Sequence, residues 1–88
     1  MIDRQAAWEL LNQYTSNVNL IRHALAVEAA MKAYADRFGE DPELWSVAGL
    51  IHDFDYERFP EKHPQKGAAI LKEAGYPEEI VEAVLAHA

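Results

Sequence analysis

Four histidines and a run of alternating acids are the residues of this 88-residue chain whose types could carry chemistry. The histidines are His23, His52, His63 and His87; the acids are Asp53, Asp55 and Glu57, spaced through the segment HDFDYE. There is no cysteine, which removes disulfides, thiolate zinc sites and thiol nucleophiles, so any metal would have to be held by His, Asp and Glu. Other routes to a site are absent as well. No His-x-x-x-His pair forms the two-histidine zinc helix, no Gly-rich loop ends in Gly-Lys, and Ser16 and Ser46 have no nucleophile context. A lone histidine beside an apolar stripe is more often a hydrogen-bonded core residue than a ligand. A His-Asp dipeptide is expected by chance roughly 0.2 times in such a composition, so neither feature carries weight alone. The weight rests on the set.

The elements that must position these residues are helical. Asp3 caps a first helix whose stripe is Ala7, Leu10, Leu11 and Tyr14. Asn17 caps a second, longer one with Leu20, Ala24, Val27, Met31, Tyr34 and Phe38 at 4-3-4-3-4 spacing, and Gly39 ends it. Asp41-Pro42 opens a third helix whose body, Leu44 to Ile51, is apolar nearly all round and therefore central. Phe54 to Lys62 reads as a loop. A fourth helix runs from Pro64 to Ala74 and stops at Gly75; a fifth starts at Pro77-Glu78-Glu79, with Val81, Leu85 and Ala88 as its stripe. No alternating strand pattern occurs, so the fold class is all-α, a bundle of about five helices. In this frame His23 lies at the margin of the second helix's apolar face, and His52 ends the buried third helix. Pro64 holds His63 out of helical geometry at the mouth of the fourth. His87 falls on the inner side of the fifth. Gly49, one turn before Asp53, permits a close helix approach.

As an ordered set, His23 in RHALAVEAAMKAYA, His52-Asp53 in GLIHDFDYE, His63 in HPQKGAAIL and His87 in VEAVLAHA resemble the HD superfamily of metal-dependent phosphohydrolases, HDIG-type domains in particular, over residues 17–88. The resemblance implies a single HD-like helical domain over 1–88, the N-terminal part of a longer family domain. It implies that His23, His52 and Asp53 bind a first divalent metal, and that Asp53 bridges to a second held by His63 and His87. Mixed imidazole and carboxylate ligands suit Mn, Fe, Ni or Zn, as one or two ions. Side chains that share an ion must converge from separate helices. The family's first metal also takes an Asp from a later helix, which has no counterpart in these 88 residues; a partner subunit, a water or further sequence would supply it. Asp53, Asp55 and Glu57 are the candidate catalytic acids, the latter two as supporting groups or as orienters of the attacking water. The plainer reading of Asp55 and Glu57 is solvated loop charge. The implied function is hydrolysis of a phosphate ester or anhydride, with nucleotides among the candidates. The alternative is a degenerate HD domain that binds metal, ligand or partner without turnover.

Composition narrows the partners. Half the residues are apolar and 26% charged, which is globular composition. Eight basic and 15 acidic residues give −7, and the excess lies after residue 38, where 11 acids face four bases. That sign is wrong for a nucleic-acid or anionic-membrane binder and leaves a small phosphorylated substrate as the expected partner. No signal-peptide pattern and no long apolar run occur, so a cytoplasmic location is expected. Five short helices in 88 residues leave apolar surface uncovered, and a homodimer is the simplest cover.

Overall fold

The computed structural model describes residues 3–86. Among the described residues the chain forms α1 (Arg4–Tyr14), α2 (Val18–Phe38), α3 (Pro42–Ile51), α4 (Gln65–Glu73) and α5 (Glu78–Ala86), and no strand. Three of these helices begin at a side-chain acceptor. Asp3 accepts from the Ala6 amide at 2.9 Å, Asn17 from Asn19 and Leu20, and Asp41 from Glu43 and Leu44. Each satisfies amides that the first turn of a helix leaves without an intrahelical acceptor. Two stops are equally local: Gly39 and Gly75 take φ of 71° and 85°, the left-handed region that ends a helix and that glycine enters without a Cβ penalty.

The third helix is the axis of the bundle. It packs on α1, α2 and α5, and Val47, Leu50 and Ile51 are buried on it. Its closest neighbour is α2. A Cβ on Gly49 would lie 2.9 Å from Met31 Cγ and 3.0 Å from the Val27 carbonyl oxygen, so the two helices meet at a spacing that only glycine allows. Ala24 and Ala35 are the buried residues of α2. Tyr34 and Phe38, expected in the core from their spacing, are instead 52% and 62% exposed and stack on one another. The residues of α2 that meet Gly49 of α3 are Val27 and Met31, and on the α1 side Glu28 pairs with Arg4. The same shift appears in α5, where Ile80, Val81 and Val84 are buried and Leu85 is not. Ala88 lies outside the described residues.

Between α3 and α4 the chain is a succession of tight turns, with backbone bonds from Phe54 to Ile51, Tyr56 to Asp53, Phe59 to Asp55 and His63 to Phe59. It is not a loose surface loop. Phe54 is fully buried and Thr15, at the end of α1, donates its hydroxyl to the Phe54 carbonyl at 2.9 Å. No helix among the described residues is long and apolar enough to cross a membrane.

Candidate metal centre

Four elements bring the site together: α2 carries His23, the end of α3 carries His52, the turn after it carries Asp53, and the entry to α4 carries His63. Asp53 is the hub. Its Oδ2 lies 3.2 Å from His52 Nε2 and 3.8 Å from His23 Nε2, and its Oδ1 lies 3.1 Å from His63 Nε2. One carboxylate oxygen thus faces the first two histidines and the other faces the third. One ligand atom from each of His23, His52 and Asp53 falls within 4.8 Å of the others. The site opens at His23, whose side chain is 52% exposed, against 14% for His52 and 13% for His63.

Two of the rings are oriented by acceptors behind them. His52 Nδ1 lies 2.6 Å from the Gly49 carbonyl oxygen, and a carbonyl only accepts, so the proton sits on Nδ1. His63 Nδ1 lies 2.7 Å from Asp55 Oδ1, a carboxylate that accepts a proton held there in the same way. In the neutral rings the Nε2 lone pairs then point at a carboxylate. Acceptor facing acceptor at such distances is repulsive unless a proton or a cation lies between them. The pKa of His52 registers this: burial pushes it down, but the hydrogen bond to Asp53, the Gly49 carbonyl and the Asp53 charge together hold it above its ordinary value. A donor set of imidazole Nε2 atoms around one carboxylate, with Nδ1 hydrogens held by a carbonyl and a second carboxylate, fits a divalent transition metal.

The acids of HDFDYE part company. Asp55, read as a loop residue, is completely buried, and its Oδ2 accepts from the Gly67 amide at 2.8 Å. Glu57 is turned away to the α1–α2 connection, where its carboxylate accepts from the amides of Asn17 (2.8 Å) and Ser16 (3.1 Å) and from the Ser16 hydroxyl. The Asn17 amide, then that of Ser16, holds its pKa below the usual carboxylate value. His87 lies outside the described residues. A separate cavity of about 590 Å³, bounded by Arg4, Glu28, Lys32, Pro42, Glu43 and Ser46, includes none of the histidines.

The profile of the HD domain matches residues 20–88, a span that contains His23, His52, Asp53, His63 and His87. The chain belongs to the HD domain family. No curated protein and no solved structure matches it. HD domains bind divalent metals and are, as a family, metal-dependent phosphohydrolases. Within this HD domain, sequence reasoning assigned no part in the site to Thr15, Ser16, Asn17 and Gly67. Gly67 had a weak signal, since a glycine inside a helical pattern costs about 1 kcal/mol relative to alanine and so invites a packing reason. Thr15 and Ser16 had none; their partners lie 39 and 41 residues away.

Proposed function

We propose that this HD domain hydrolyses a small phosphate ester or anhydride. The observation that carries the reading is the convergence of three imidazole Nε2 atoms on the two oxygens of Asp53. His23, His52 and Asp53 would hold one divalent ion, with Asp53, His63 and His87 able to hold a second. Such ions lower the pKa of bound water toward about 7 and offset the charge of phosphoryl oxygens. The protein's own residues do the arranging. Gly49 fixes the His52 ring, Asp53 divides its oxygens between the two histidine groups, and exposed His23 leaves the substrate side open. The net charge of −7 disfavours polyanions such as nucleic acid and supports a small substrate. Exposed Tyr34, Phe38 and Leu85 support the reading of a homodimer.

The test is elemental analysis of the purified protein together with hydrolysis of an aryl phosphate. The expected result is bound transition metal, lost along with hydrolysis in His52→Ala and Asp53→Ala. Metal retained in both variants would overturn the site. Bound metal without turnover on any phosphate ester would favour a binding domain over an enzyme.

A further inference from the structure

The one fully buried carboxylate among the described residues lies directly behind a histidine of the site. Asp55 is 0% exposed, and burying a carboxylate is costly unless its oxygens are satisfied. Both are: Oδ2 accepts from the Gly67 amide at 2.8 Å and Oδ1 from His63 Nδ1 at 2.7 Å. On the far side of the same ring, His63 Nε2 is 3.1 Å from Asp53 Oδ1. Tyr56 closes over the ring edge-on, with centroids 5.7 Å apart. The ring therefore has one carboxylate behind it and another in front, and the contact behind is the shorter.

Gly67 belongs to the same unit. A Cβ at that position would sit 2.7 Å from Asp55 Cγ and Oδ2 and 3.0 Å from Oδ1, closer than non-bonded atoms approach. The glycine is there because the carboxylate is. A bond that only fastened this turn to α4 would be met by an amide or hydroxyl side chain at smaller desolvation cost. What a carboxylate adds is acceptance at both oxygens, and so a fixed imidazole tautomer.

We propose that Asp55 is a positioning residue that acts through His63, holding its ring with the proton on Nδ1 and Nε2 presented toward Asp53 Oδ1. This rests on the metal-centre reading but not on hydrolysis. Two measurements test it. In the metal-free wild type, long-range ¹H–¹⁵N correlation spectra should show a proton on His63 Nδ1, with or without a second proton on Nε2 facing Asp53, and a ring protonated on Nε2 alone would overturn the proposal with no variant needed. Titration with Mn²⁺ or Zn²⁺ alone should show Asp55→Asn weakening affinity about 10- to 100-fold. In a His63→Ala background the same change should cost less than about threefold, because its route is gone. An equal loss in both backgrounds, or none in the wild type, would make Asp55 a purely structural group. Failure of the wild type to bind either ion would remove the metal-centre reading, and the tautomer would still decide whether Asp55 governs His63.

Discussion

Replacing Gly67 by alanine sets two known effects against each other with opposite signs. Alanine is the better helix former, and within α4 it should add about 1 kcal/mol relative to glycine. Against this, the new methyl would meet the Asp55 carboxyl carbon at 2.7 Å, roughly an ångström inside a comfortable contact. Asp55 is fully buried and held on both oxygens, so it has nowhere to swing. Either α4 lifts off the turn, at the upper part of the ~1–3 kcal/mol range for overpacking, or the carboxylate moves and gives up hydrogen bonds of about 1.5–3 kcal/mol. The net is a loss of about 2 kcal/mol. For a domain of this size that lowers Tm by about 8–16 °C, where propensity alone would raise it by about 4–8 °C. Thermal unfolding followed by circular dichroism reads the sign directly. In an Asp55→Ala background the clash disappears, and Gly67→Ala should become neutral or stabilising. A higher Tm for the single Gly67→Ala variant would refute the reasoning.

Three further outcomes follow from the geometry. Glu57 has a folded pKa below its ordinary 4.5, so its contribution to stability is present above about that pH and is lost as pH falls through the lowered value; Glu57→Gln should flatten this part of the Tm–pH curve, and parallel curves would mean that its bonds to Ser16 and Asn17 add no stability. Metal affinity should fall as pH drops through the imidazole range, beginning above 6.5 because His52 is held above that value, and retention unchanged down to about pH 4.5 would mean that the histidines are not the ligands. Sedimentation at micromolar concentration should give twice the 10.0 kDa chain mass, and a stable monomer would show that the apolar surface needs no second copy.

The parts of the fold that sequence reveals are those decided within one turn of chain. Asp3, Asn17 and Asp41 accept from amides two or three residues on, and Gly39 and Gly75 end helices by their own φ, so boundaries came out within a residue or so. What it conceals is decided across the bundle. Tyr34 and Phe38 have core spacing, yet they lie exposed, while Val27 and Met31 meet Gly49 and Ala24 and Ala35 are the buried residues of α2. Asp55 looks like a loop charge because nothing nearby in sequence shows that His63 and Gly67 fold back over it. His23, His52 and Asp53 were legible as a set because family spacing encodes the convergence that single residues do not.

The alternation of acids in HDFDYE then acquires a physical reason. Consecutive tight turns send Asp53, Asp55 and Glu57 in three directions: to the histidines, into the core behind His63, and across to the amides that precede α2. The last of these matters for the first. His23 arrives on α2, whose start is tied to the turn after His52 through Glu57 and, just before it, through the Thr15 hydroxyl on the Phe54 carbonyl. Seating of α2 elsewhere comes from its seam with α3, which also carries His52. Asp53 therefore meets its histidines from two bodies, α2–α3 on one side and the entry to α4 on the other, and the two buried or capped acids fasten the turn to each. Loss of Glu57 should loosen His23 relative to Asp53, whereas loss of Asp55 frees His63 and the Gly67 amide on the α4 side. A segment with one acid would bind an ion; three acids also fix where its other ligands lie.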